Sequence, residues 1–114
     1  MKRSGNIIDV IGKRIYGGEL HIEGERIKEI REKNDVDDVY IMPGLIDAHI
    51  HIESSMLTPG SFASATVSRG TIGTVSDPHE IANILGIEGI DFMISDGKKT
   101  PFKFYFGEIG RAHV

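Results

Sequence analysis

The stretch "GLIDAHIHIESSM", residues 44–56, sets His49 and His51 one residue apart in an apolar run, with Asp47 and Glu53 on either side. On an extended strand successive side chains point to opposite faces. Asp47, His49, His51 and then Glu53 should therefore share one face, and Ile46, Ala48, Ile50 and Ile52 the other. Two imidazoles at i and i+2 on one rigid strand can reach a common metal ion at about 2.0–2.2 Å. The alternative is a pair of core histidines satisfied by hydrogen bonds to Asp47 and Glu53, which the cost of burying polar groups would demand.

Working outward, "YIMPGLIDAHIHI" is almost continuously apolar, the texture of a parallel strand covered on both faces. After it, Thr58 followed by Pro59 signals a helix start, and Gly70 closes a helix expected over residues 59–69. "GTIGTVSDP" reads as a strand stopped by Pro78. A second helical stretch follows, with Ile81, Ile84 and Leu85, then Ile87, Ile90 and Ile94, at helical spacing; Gly86 is a candidate break and Gly97 a stop. "PFKFYFG" is a third strand. Strand, helix, strand, helix, strand is the order of an α/β parallel sheet or barrel, and barrel chemistry gathers at the carboxyl ends of the strands.

Upstream the texture differs. "ELHIEGERIKEI" alternates Leu20 and Ile22 with Glu19, His21 and Glu23, and Gly24 supplies the turn of a hairpin in a small antiparallel sheet. His21 falls on its wet face, where solvation is the expected state. The boundary is placed near Pro43, giving domains over residues 1–42 and 43–107.

A second polar cluster, "SDPHEIAN", lies at the end of the second parallel strand, so Asp77, His79, Glu80 and Asn83 should emerge at the same mouth as the histidine pair. His79 and Glu80 are the candidate catalytic residues, as acid, base or substrate contacts. Helix capping reads the same residues differently: Asp77 as N-cap, Pro78 at the first helical position and Glu80 in the first turn. Both readings can hold together. Ser54 and Ser55 can either cap the loop or bind ligand. Met56 and Phe62 are expected in packing.

The 114 residues carry 13 Lys+Arg against 17 Asp+Glu, a net charge of -4, with no basic stripe. That pattern points away from nucleic acid and membrane surfaces and toward a small-molecule partner. With no cysteine, disulfides, thiolate ligands and a Cys nucleophile are excluded, and any metal must be held by His and carboxylate. The composition fits a cytoplasmic protein. A complete α/β barrel needs about 200 residues or more, so these units should be an incomplete one. The last residues, "EIGRAHV", fit no part of the pattern, and one codon choice for them reproduces a common sequencing adapter. Residues 108–114 are accordingly expected to be a non-native tail on a fragment.

"IMPGLIDAHIHIESSMLTP" resembles the Pro-Gly-x-Ile-Asp-x-His-x-His segment of the amidohydrolase superfamily, and the added "HIESSM" and "DPHEIAN" are similar to its adenine deaminase branch. The resemblance covers residues 5–107. It implies the first strands of a metal-dependent (β/α)8 TIM barrel, preceded by part of a composite β-sandwich built from both chain ends. It also implies hydrolysis of adenine to hypoxanthine and ammonia by attack of metal-activated hydroxide at C6, in a homo-oligomeric parent. His49 and His51 match metal ligands, for manganese or iron and for one or two ions, with zinc also compatible with this ligand set. Glu53, Ser54 and Asp77 become candidate substrate-binding residues. The alternatives are another cyclic amidohydrolase, dihydroorotase-like or imidazolonepropionase-like, or a non-catalytic metal-binding module.

Overall fold

The computed structural model describes residues 1–107, so the expected non-native tail lies outside the described residues. The chain divides into two compact units, Met1–Pro43 and Gly44–Val114.

In the first unit, strands β1 (Lys2–Asp9), β2 (Arg14–Glu23), β3 (Arg26–Glu32) and β4 (Tyr40–Ile41) form one sheet in the order β3-β2-β1-β4. β1, β2 and β3 are antiparallel, but β4 pairs with β1 in parallel, so the sheet is mixed rather than purely antiparallel. Gly24, at φ 59, makes the turn from β2 to β3 in a region that a side chain disfavours. Ile7, Leu20, Ile27, Ile30 and Ile41 line a groove of about 380 Å³ on one face. His21 is not simply solvated: it is half-buried, with Nε2 2.6 Å from Glu19 Oε1. That bond, and then the neighbouring Lys2 ammonium, hold the Glu19 carboxyl below its ordinary pKa.

The second unit is a mixed α/β arrangement. Strands β5 (Leu45–Ile50), β6 (Thr71–Ser76) and β7 (Lys103–Phe106) run parallel in the order β5-β6-β7, with helices α1 (Pro59–Val67) and α2 (His79–Gly97) as crossovers. The cap signal is realised: Thr58 Oγ1 accepts the Ser61 N–H at 3.4 Å, and Pro59 opens the helix. Ile52, Phe62, Ala63, Met93 and Phe102 form the core, with Ile50, Ile81, Phe104 and Phe106 packed against it. No helix among the described residues is long and apolar enough to cross a membrane.

Three expectations about packing are corrected. β5 is not covered on both faces: it is an outer strand, the core takes Ile50 from it, and Leu45 and Ile46 are exposed. Met56 is 94% exposed. It sits at φ 59 as the C-cap of the short 3-10 turn Glu53–Ser55, its N–H given to Glu53 O at 2.9 Å, so it packs against nothing. On α2, Ile84, Leu85 and Ile87 are exposed while Gly89, Met93 and Gly97 are buried. The cause is Gly86, whose φ 61 and ψ -144 break the helix there, so that the apolar stripe does not continue across the kink. Beyond it, a Cβ on Gly97 would stand 3.0 Å from the Phe104 ring, which is why α2 can lie close against β7.

Candidate metal and proton-transfer site

The site begins with an irregularity. Asp47 pairs with Thr74 and Ile50 with Ser76, so β5 takes three steps where β6 takes two. The extra residue makes a bulge, which bends a strand and re-aims its side chains. Asp47 is turned into this bulge: its Oδ1 accepts the His49 N–H at 3.1 Å, and its carbonyl accepts the Thr74 hydroxyl at 3.2 Å. The strand then ends at Ile50, and Glu53 falls on the 3-10 turn. Strict alternation therefore ends at Ile50, and the Asp47 and Glu53 carboxylates engage the His49 and Ile81 N–H groups rather than the histidine rings.

The two histidines do converge. Their rings meet edge to face with centroids 4.9 Å apart, and their Nε2 atoms are 3.2 Å apart. His51 Nδ1 lies 2.8 Å from the Asp77 carbonyl oxygen. A carbonyl can only accept, so Nδ1 carries the proton and Nε2 of the neutral ring presents its lone pair toward His49. A histidine fixed in this way through its far nitrogen is the usual arrangement of a metal ligand. The spacing also fits: two nitrogens each ~2.1 Å from one ion stand ~3.0 Å apart at a right angle and ~3.4 Å at the tetrahedral angle. Neither histidine ring bonds to Asp47 or Glu53, so the picture of core histidines satisfied by those carboxylates is overturned.

Across the β5–β6 boundary, His79 Nδ1 lies 3.0 Å from Asp77 Oδ2, and the His79 ring stands edge to face with His51 at 4.7 Å. The ligand atoms of His51, Asp77 and His79 lie within 4.8 Å of one another. His51 is thus shared by two donor sets. Spacing within one strand pointed only to His49 and His51; the second set depends on strand neighbours 26 or more residues apart, and only the placing of both clusters at one mouth hinted at it. Asp77 Oδ1 is buried with no hydrogen-bond partner among the described residues. Such an oxygen is costly unless a cation or donor meets it, which again suits a metal. Asp77 is not the helix cap: Pro78 occupies that position, with no side-chain cap bond, and the Asp77 carboxylate meets His79 through Oδ2.

The remaining candidates cluster beside this set. Glu53 Oε1 accepts the Ile81 N–H at 3.3 Å, and its Oε2 is buried without a partner among the described residues. Ser54 donates its hydroxyl to Glu80 Oε2. Ser55 donates to the Ile52 carbonyl at 2.6 Å and so closes the loop. Asn83 is exposed.

The chain is 52% identical over 106 residues to an adenine deaminase of Methanosarcina mazei, covering 93% of this chain and 19% of that protein. It is 56% identical over 103 residues to one of Methanosphaera stadtmanae, covering 90% and 19%, and 53% identical over 106 residues to one of Borreliella burgdorferi, covering 93% and 19%. The chain spans about a fifth of the length of these relatives. Residues 40–108, more than half of the chain and including both clusters, match the amidohydrolase family model, and the chain belongs to the amidohydrolase family.

Proposed function

We propose that this chain is the N-terminal part of an adenine deaminase that hydrolyses adenine to hypoxanthine and ammonia in purine metabolism. The observation that carries the reading is identity of 50% or more to adenine deaminases over nine-tenths of the chain, across the residues that build the site. In this reading the second unit is the start of a (β/α)8 barrel and the first is part of a composite β-sandwich, so the functional domains are residues 1–42 and 43–107. The absence of cysteine fits a cytoplasmic enzyme. The parent is proposed to be a homo-oligomer acting on a free base.

His49 and His51 would hold a divalent ion, manganese or iron, with the Asp77 carboxylate close beside them. When bound, such an ion acts as a Lewis acid and makes water a nucleophile near neutral pH. The chain's own residues do the rest. Asp77 holds His79 through Nδ1, which fixes the ring and leaves its Nε2 to carry a proton. Replacing the C6 amino group of adenine by oxygen requires a proton for the departing nitrogen, and His79 Nε2 is a suitable store for it. Glu80, on the same first turn of α2, presents a carboxylate to accept from the amino group or ring nitrogens of the base.

The test uses the full-length protein. Ammonia release from adenine after loading with manganese or iron is expected, and its absence with both metals refutes the assignment. The 114-residue chain alone is expected to release none.

A further inference from the structure

α2 begins without a side-chain cap of its own, since Pro78 makes no cap hydrogen bond. First-turn N–H groups of a helix have no intrahelical partner and need one from elsewhere. Glu53, 28 residues upstream, supplies it by accepting the Ile81 N–H through Oε1 at 3.3 Å. The next residue, Ser54, donates its hydroxyl to Glu80 Oε2. Two adjacent residues of the 3-10 turn thus grip two adjacent residues of the helix, one bond running in each direction. The turn follows closely on His51, and the gripped residues directly follow His79. The same two segments are joined on their other side by the 2.8 Å contact of His51 Nδ1 with the Asp77 carbonyl.

We infer that Glu53 and Ser54 form a latch of positioning residues, which sets the first turn of α2, and with it His79 and Glu80, against His51. They are not substrate contacts. Ser54 thereby ties down the Glu80 carboxylate through Oε2. An exposed serine–carboxylate hydrogen bond alone would contribute little in water. The partly buried Glu53 bond beside it makes the pair a two-point attachment, which restricts the turn in rotation as well as distance. The lone buried Oε2 of Glu53 is a cost that this placement accepts.

The inference rests on the adenine deaminase reading only for its kinetic arm. In the full-length protein, Ser54→Ala is compared with Ser54→Thr, which retains the hydroxyl. Hydrogen exchange at the Ile81 and Ala82 amides reads the latch without any substrate, and is expected to quicken about tenfold in Ser54→Ala and to return to the wild-type rate in Ser54→Thr. With adenine, Ser54→Ala should lower kcat about tenfold with KM changed less than about threefold, and Ser54→Thr should restore it. Unchanged exchange in Ser54→Ala, or a loss of activity carried by KM with exchange intact, overturns the latch and makes Ser54 a substrate contact. A wild-type protein inactive on adenine removes the deaminase reading while the exchange arm still decides the latch. Should Ser54→Ala not fold, Glu53→Ala, which removes the acceptor, decides it by exchange: quickened exchange at Ile81 supports the latch, and wild-type exchange overturns it.

Discussion

Replacing Asp96 tests how the second unit holds its two helices. Asp96 lies in the last turn of α2, its side chain 14% exposed, and its Oδ2 accepts the Gly60 N–H at 2.8 Å at the start of α1. This is a carboxylate placed at the positive end of another helix, where a charged acceptor on an otherwise unpaired N–H contributes about 1.5–3 kcal/mol. Lys99 also reaches Asp96 Oδ1, at 3.1 Å, but its side chain is 70% exposed and the pair adds only a few tenths of a kcal/mol. Asp96→Ala should therefore cost about 2 kcal/mol, near the low end of that range because water can reach the freed N–H. Asp96→Asn, which keeps an acceptor but no charge, should cost about half as much, and Lys99→Met less than about 0.5 kcal/mol. In urea unfolding followed by circular dichroism, with m of about 1 kcal/mol/M, the Ala midpoint falls by about 2 M. The Asp96 carboxyl is held below its ordinary pKa, first by the Gly60 N–H and then by Lys99. A lowered folded-state pKa means that the contribution is present above the ordinary carboxylate range and lost as pH falls through the folded value. The gap between wild type and Asp96→Ala should accordingly be full at pH 7 and close in acid. An Asp96→Ala midpoint equal to wild type, or one matched by Lys99→Met, would show that the interhelix bond contributes nothing.

Three further outcomes are expected. Met93→Ala opens a hole beside Ile52, Phe62 and Phe102 and should destabilise the unit by about 2–5 kcal/mol in the same titration. Met56→Gly should stabilise by up to about 1 kcal/mol, because the residue is exposed at φ 59 and loses no packing; a fall in midpoint would contradict that. His51→Ala in the full-length protein should lower bound metal at least tenfold by elemental analysis, since it removes the ligand common to both donor sets, whereas metal retained at the wild-type level would exclude His51 as a ligand.

The parallel order of elements was legible because its signals are local: Thr58-Pro59, the β-branched run before Pro78, and Gly86 each act within a few residues. What alternation could not deliver were features that depend on a neighbouring strand. The bulge at Asp47 exists only in the pairing of β5 with β6, so a rule of period two placed Asp47 beside His49 when its carboxylate instead holds the His49 N–H. The helical spacing of Ile84, Leu85 and Ile87 was real, yet the spacing carries no information on which side of the Gly86 break meets the sheet. Asp77 met every local rule for a cap, yet Pro78 takes that position and the Asp77 carboxylate meets His79, two residues on, through Oδ2. For the site, the residue types and their gathering at strand ends were readable; the donation from His51 to a carbonyl 26 residues away was not.

The slip in pairing at Asp47 bears on protein engineering. Side chains two apart on a regular strand stand ~6.6 Å apart at their Cα atoms and project in parallel. Here the register slips beside His49 and the strand ends before His51, and their nitrogens stand 3.2 Å apart. Copying His-Ile-His into a regular strand of another scaffold would carry over the pair without the contacts that hold it here. A graft that chelates as this segment can would also need the Asp47 carboxylate on the backbone N–H, a neighbouring strand one residue shorter across the same span, and a carbonyl placed to fix the second ring.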